Sequence, residues 1–213
     1  RFVDHLQGFL DVLQKPVVAT LHTVLPHPRP VLREAIRALH DRSDAVVTMV
    51  NMARLILEQE YGLNPDKLFT IPQGVPEVRR TAPDRVKQAM SFEDRTIVST
   101  FGLLNSGKGI QYVIRGLPEV IKRHPEVLYL VIGETHPEIR RREGEKYRNS
   151  LIELVKRLHL EKHVRFVNQY LTTPQLIRYL LATDIYITPY IDRYQITSGT
   201  LAYALGCGKA VIS

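Results

Sequence analysis

The sequence predicts an α/β fold of two units, each a parallel sheet covered by helices on both faces. Short β-branched runs alternate with helix-periodic stretches from end to end of the 213 residues. The segment Pro72–Pro83 interrupts that alternation with three prolines, one glycine and a pair of arginines, and divides the chain into residues 1–78 and 79–213. With 44% apolar residues, there is material for a core in each.

Strands are expected at Val17–Leu21, Ala45–Met49, Leu68–Ile71, Thr96–Phe101, Val127–Ile132, Val164–Val167, Ile185–Thr188 and Ala210–Ile212. Helices are expected at Pro30–Arg42, Met52–Tyr61, Asp84–Met90, Gly109–His124, Glu138–His159, Thr173–Ala182 and Gly199–Leu205. Asn51 stands where an N-cap would open the second of these helices. Thr173 before Pro174 reads as an N-cap followed by proline at the first helical position.

A formal charge of +7 raises the question of nucleic acid, but the basic residues are scattered. The densest group, Arg140–Arg142 with Lys146 and Arg148, is interleaved with Glu143 and Glu145, and no aromatic–basic alternation offers a stacking surface, so no nucleic-acid partner is expected. Cys207 is the single cysteine, which rules out an internal disulfide and fits a reducing, cytoplasmic setting. No apolar run reaches the roughly 18–20 residues that span a bilayer. Peripheral membrane association fits the charge, although no basic amphipathic helix calls for it, and nothing sets an oligomeric state. Both ends, Arg1 and the strand-like Lys209–Ser213, read as cuts through a longer protein, leaving both units incomplete.

The chemistry concentrates in Thr96–Leu117. A β-branched run enters a loop with Gly102, Gly107, Lys108 and Gly109, and an amphipathic helix follows at once. A strand feeding a glycine-rich turn at a helix N-terminus presents backbone N–H groups and the positive end of the helix dipole to an anion. Lys108 is the residue expected to neutralise phosphate; otherwise it is a solvated lysine at a helix start. The stretch also matches G-x-x-x-x-G-K, the P-loop of nucleotide hydrolases, but Gly109 stands where Ser or Thr would hold Mg²⁺. A structural turn is the remaining alternative.

A second anion site is expected in Pro189–Gly208, where a strand end gives way to a polar loop and a small-residue helix opening with Ser198, Gly199 and Thr200. Ser198 alone would read as an ordinary N-cap, but two phosphate-competent helix starts in one unit point to a diphosphate. Gly206 and Gly208 are expected to mark close packing at the far end of that helix. His22 follows a strand in TLHTVLP, where ligands sit in open α/β sheets, and is either a sugar-hydroxyl or proton partner or a plain loop histidine. Gly133 and Glu134 follow the strand Val127–Ile132; the carboxylate would bind ribose hydroxyls, or the pair forms a plain turn. No histidine shows ligand spacing, so no metal is assigned.

The order and spacing of these pieces resemble glycosyltransferase family 4 (group 1). The resemblance runs from PVVATLHT and DAVVTM through IPQGVP, GLLNSGKG and HPEVLYLVIGE to LHLEKHVRFVNQYL, LLATDIYITPY and SGTLAYALGCGKAVIS. FGLLNSGKGIQYVI with TPY…QITSGTLAYALG is similar to a bacterial and archaeal subgroup of that family. The resemblance implies two Rossmann-like units of the GT-B type, with 1–78 the end of an acceptor-side domain and 79–213 a donor-binding domain. It implies a hexosyltransferase that retains anomeric configuration, uses a nucleotide-diphosphate sugar as donor and no cofactor, and serves a carbohydrate or lipid-linked acceptor. The alternatives are a non-catalytic nucleotide-sugar-binding protein of the same fold and the P-loop-like hydrolase.

In that frame Lys108 and the amides around Gly107–Gly109 and Gly199–Thr200 stabilise the leaving diphosphate, the Pro189–Asp192 loop faces the donor sugar, and Asn168–Leu171, Asn168 first, lie near the base. His22 comes from the first unit. Two departures stand out. Family members usually carry arginine after the first glycine of the phosphate loop, where this chain has Leu103. They also carry two glutamates eight apart around the second helix start, which fall on Gln195, facing the donor sugar, and Tyr203, near the ribose.

Overall fold

A computed structural model describes residues 2–78, 82–192 and 194–213. The chain divides into two compact units, residues 1–74 with 194–199, and residues 75–193 with 200–213. The centre of the expected linker, residues 79–81, lies outside the described residues.

The first unit runs α1 (Phe2–Asp11), β1 (Val18–Thr20), α2 (Pro30–Arg42), β2 (Ala45–Thr48), α3 (Asn51–Gln59) and β3 (Leu68–Thr70). Its three strands are parallel in the order β1-β2-β3. Ile36 of α2, Ala53 and Leu57 of α3, Val46 and Leu68 close a core around Tyr61. The Tyr61 hydroxyl donates to the Leu25 carbonyl at 3.0 Å, and burial pushes its pKa up. α1 is not among the expected helices, although Phe2, Val3, Leu6, Phe9 and Leu10 recur at helical spacing; Leu10 is buried while Phe9 is 60% exposed. The helix is fixed from outside, packing on α2, with Asp11 paired to Arg42 at 2.9 Å. Asn51 is the first residue of α3 rather than its cap; Val50 holds the cap position in extended backbone.

The second unit contains α4 (Pro83–Gln88), β4 (Thr96–Phe101), α5 (Ile110–Ile121), β5 (Val127–Ile132), α6 (Pro137–Glu143), α7 (Lys146–Arg157), β6 (Val164–Val167), α8 (Thr173–Ala182), β7 (Ile185–Ile187) and β8 (Ala210–Ile212), together with all but the first residue of α9 (Gly199–Gly206). Five parallel strands lie in the order β6-β5-β4-β7-β8. The two-residue alternation of a strand decides which core each β5 side chain enters. Val127, Tyr129 and Val131 meet Ile114 and Leu117 of α5 and Leu151 and Leu154 of α7. Leu128, Leu130 and Ile132 face the opposite way, toward Val86 of α4 and Ala182 of α8. Leu130 has no exposed surface. Leu130→Ala is therefore expected to lower stability by about 2–5 kcal/mol in chemical denaturation.

Several polar groups inside this core are paired. The Tyr129 hydroxyl donates to Thr100 Oγ1 at 2.8 Å, and the Thr100 hydroxyl donates to the Ile187 carbonyl at 2.7 Å, tying β5, β4 and β7 together. Asp184, just before β7, accepts from Lys87 Nζ at 2.7 Å and from the Ile97 amide at 2.7 Å.

Two helix expectations are corrected. The single helix Glu138–His159 is two, because Gly144, at φ 62°, ends α6 before α7 begins. The cap of α8 is Thr172, one residue earlier than expected, in a capping box with Gln175. No helix among the described residues is long and apolar enough to cross a membrane.

Candidate functional site

From β4 the chain runs outward to β5 and β6, then returns to place β7 on the other side of β4. The order of the sheet therefore reverses between β4 and β7, and the crevice outside the carboxyl ends of such strands is where open α/β sheets bind ligands. The loop leaving β4 holds Gly102, Gly107, Lys108 and Gly109; the loop leaving β7 begins Thr188–Pro189–Tyr190.

These two loops lock together. Ser106–Lys108 form one 3₁₀ turn, and Gly109 takes a left-handed conformation (φ 65°) before α5 starts at Ile110. Pro189 presses its carbonyl against Gly109 so closely that a Cβ there would lie 1.8 Å from the oxygen. The Ile191 amide donates to the Gly107 carbonyl at 3.1 Å. Lys108 Nζ sits 4.0 Å from the centroid of the Tyr190 ring, and the Tyr190 hydroxyl shares a 2.6 Å hydrogen bond with Thr200 Oγ1. Thr200 belongs to the first turn of α9, and its methyl would touch a Cβ placed on Gly102, at 3.4 Å.

The residues expected from sequence are thus gathered in large part: Gly102, Gly107, Lys108, Gly109 and Thr200 meet at one place, with the start of α9 at Gly199 beside them in sequence. Tyr190, within the Pro189–Asp192 loop expected to face the donor sugar though not singled out there, joins them. Its signal was an aromatic residue between a strand end and a small-residue helix start. A half-buried ammonium resting on an aromatic face is held by about 0.5–2 kcal/mol, weaker than charge-assisted hydrogen bonds to an anion. The contact places the lysine without committing its charge, which an anion could still pair with. The Gly109 position carries no hydroxyl for Mg²⁺, and Asp184 is engaged with Lys87 and the Ile97 amide. Thr188 Oγ1, buried at the end of β7, has no hydrogen-bond partner among the described residues.

The other expected residues fall farther away. The Glu134 carbonyl accepts from the Leu104 amide at 2.8 Å, so its loop is stitched to the loop after β4. Asn168 is exposed just past β6, at the same edge of the sheet but two strands from β4. Tyr203 is half-buried and packs against the core: its ring lies 6.3 Å from that of Phe101, edge-on, beside Leu180, Tyr186 and Ala204. That packing occupies the ring expected near the ribose. Gly206 does mark a close approach, since a Cβ there would meet Val75 at 2.7 Å, whereas Gly208 has open space and serves its turn instead.

His22, Gln195 and Ser198 lie in the first unit. Thr197 Oγ1 donates to the His22 carbonyl at 2.8 Å, Gln195 Nε2 donates to the Thr197 carbonyl at 3.3 Å, and Ile196 packs on that unit's core. The segment is therefore anchored beside the His22 loop, with the His22 and Gln195 side chains exposed.

Residues 2–79 match the family model Glycosyltransferase Family 4, and residues 83–213 match Glycosyl transferases group 1. Two curated relatives come from Mycolicibacterium smegmatis. A GDP-mannose-dependent alpha-(1-6)-phosphatidylinositol monomannoside mannosyltransferase is 28% identical over 142 residues, 64% of this chain and 34% of the relative. A phosphatidyl-myo-inositol mannosyltransferase is 24% identical over 211 residues, 96% of this chain and 48% of the relative. The chain thus spans half the length of these relatives or less. Among solved structures, Anabaena Alr3699/HepE in complex with UDP superposes with a TM-score of 0.78 at 19% identity, covering 99% of this chain and 57% of that one. Sucrose-phosphate synthase from Thermosynechococcus elongatus gives 0.74 at 16% identity, covering 96% and 51%. At these identities the likeness shows the fold, that of GT-B glycosyltransferases.

Proposed function

Because the chain belongs to the glycosyl transferases group 1 family, its residues 83–213 matching that model, we propose that it is part of a retaining glycosyltransferase using a nucleotide-diphosphate sugar. Residues 79–213 form the donor-binding domain and 1–78 belong to the acceptor-side domain. The bond from the anomeric carbon to the diphosphate breaks, an acceptor hydroxyl oxygen bonds to that carbon, and negative charge collects on the departing diphosphate. Lys108, with the amides around Gly107–Gly109 and Gly199–Thr200, stabilises that charge; preorganised electrostatics of this kind supply most of the rate enhancement in many enzymes. The observation that carries this reading is the Lys108 ammonium, held on Tyr190 between the two loops at the strand-order reversal. His22 and Gln195 take the sugar-hydroxyl roles, Glu134 and Tyr203 the ribose, Asn168 the base and Ser198 part of the second phosphate contact. Glu134 and Asn168 have support from their place at the carboxyl edge, while Tyr203 would act through its hydroxyl alone.

The relatives point to the substrates. Those from Mycolicibacterium smegmatis are mannosyltransferases of phosphatidylinositol lipids, one of them GDP-mannose-dependent, and the Anabaena structure holds UDP. A lipid-linked acceptor and a UDP- or GDP-sugar donor are accordingly proposed, with the protein peripheral at a membrane.

A thermal-shift series with UDP, GDP, ADP, their sugar conjugates and ATP, each with and without Mg²⁺, tests this. A nucleoside diphosphate at about 100 times its Kd is expected to add roughly 2.7 kcal/mol of stability without metal. Stabilisation by ATP only, and only with Mg²⁺, would reject the donor site. Leu103 and Gln195, which replace the family's arginine and glutamate, favour a second reading as a non-catalytic binding protein. Sugar-nucleotide binding without transfer or hydrolysis would establish it.

A further inference from the structure

We propose that Arg148 is a positioning residue that holds the loop after β5, and through it the phosphate loop after β4, in binding shape; the link to ligand rests on the donor site proposed above. In the sequence Arg148 groups with the surface arginines of α6. In the structure it is 3% exposed, on the inward stripe of α7 otherwise filled by Leu151, Leu154 and Val155. Its Nη2 donates to the Gly133 carbonyl at 2.7 Å and its Nε to Glu145 Oε2 at 3.2 Å. The same carboxylate accepts from the Thr135 hydroxyl and pairs with Arg140 Nε at 3.1 Å. Guanidinium and carboxylate therefore grip Gly133 and Thr135, the first and third residues of the four-residue loop 133–136.

That loop is stitched to the phosphate loop by backbone bonds. Gly102 N–H donates to Ile132 at 3.0 Å, Leu104 to Glu134 at 2.8 Å and His136 to Leu104 at 3.0 Å. Gly133, at φ 125°, fits so tightly that a Cβ on it would lie 2.2 Å from the Gly102 carbonyl oxygen. A shift of the Gly133 carbonyl must therefore move Gly102, the first residue of the phosphate loop.

Stability does not explain the arginine. Its Nη1 is buried without a hydrogen-bond partner among the described residues, an arrangement that weakens a fold. A well-packed apolar side chain often replaces a buried ion pair without loss. Glu145, the remaining partner, would keep Thr135 and Arg140. Orientation of the loop is what the apolar replacement lacks.

The test compares the wild-type full chain with Arg148→Met by amide hydrogen exchange without ligand and by UDP and GDP affinity, at a temperature where both are folded. In the variant, exchange at Leu104 and His136 is expected to speed up by about tenfold while the Tyr129 amide keeps its rate, and nucleotide affinity is expected to fall by about tenfold. Unchanged exchange at Leu104 and His136 overturns the proposal. So does faster exchange with undiminished affinity for a nucleotide that the wild type binds. If neither protein binds nucleotide but exchange accelerates, the donor site fails while the grip of Arg148 on the loop is upheld. Should the methionine variant not fold, Arg148→Lys, which reaches one partner but not both, is expected to give intermediate values of the same two readouts, and wild-type values would overturn the proposal.

Discussion

Lys108→Ala is expected to lose most of the affinity for nucleoside diphosphate and to lower kcat by about 10²–10³-fold, the range for deleting one donor aimed at developing charge. Three features of the site carry that magnitude. Lys108 is the side-chain cation of the loop, since Leu103 stands where a guanidinium would share the load. Its ammonium is held at 4.0 Å over the Tyr190 ring, so little ordering is left for the moment of reaction. The backbone amides and helix dipoles that remain supply partial charges only. Stability should change little in the absence of ligand, because what is lost is one cation–π contact worth about 0.5–2 kcal/mol. Isothermal titration with UDP or GDP, beside transfer assays and melting curves, separates these effects. Undiminished nucleotide affinity in a folded Lys108→Ala protein would show that the phosphate lies elsewhere. Lys108→Arg, with its charge kept but its geometry altered, should fall between the two.

The sequence is legible where the physics is local or strictly periodic. A strand buried on both faces must be a continuous apolar run, so Val127–Ile132 could be read residue by residue and recurs with the same bounds. The glycine-rich turn before α5 is equally local, which is why Gly102, Lys108 and Gly109 were visible. What could not be read depends on partners distant in sequence. Tyr190 matters because β7 lies beside β4, bringing it against Lys108, and no spacing rule encodes that. Arg148 sits in a run of charged residues, and only the 148–151–154–155 stripe of α7 betrays its inward face. Tyr203 falls on a family position near the ribose, and the packing of its half-buried ring beside Phe101 and Tyr186 is a further contact that no spacing rule encodes. Gly144 was visible as a residue, but α6 and α7 together have enough helical pattern to hide its positive φ.

Gly109→Ala is expected to damage binding more than its size implies, and the reason is the way the two loops share one backbone contact. A left-handed conformation costs a non-glycine residue about 1–2 kcal/mol. The added carbon would also stand 1.8 Å from the Pro189 carbonyl oxygen, a backbone atom that has no rotamer to escape into. Overpacking of this kind costs roughly 1–3 kcal/mol more. The Pro189 segment must then withdraw, stretching the Ile191–Gly107 hydrogen bond and drawing Tyr190 away from Lys108 and Thr200. Nucleotide affinity should fall toward that of Lys108→Ala even at temperatures where Gly109→Ala is fully folded. Gly116→Ala, inside α5, supplies the contrast. A Cβ there meets nothing within 4 Å and its φ is ordinary, so the substitution should raise stability by about 0.5–1 kcal/mol and leave binding alone. Denaturation and nucleotide titration on the pair decide the matter. If Gly109→Ala binds as the wild type does, the close apposition of the β4 and β7 loops does not shape the phosphate site; if it is folded but blind to nucleotide, that apposition is what builds the site.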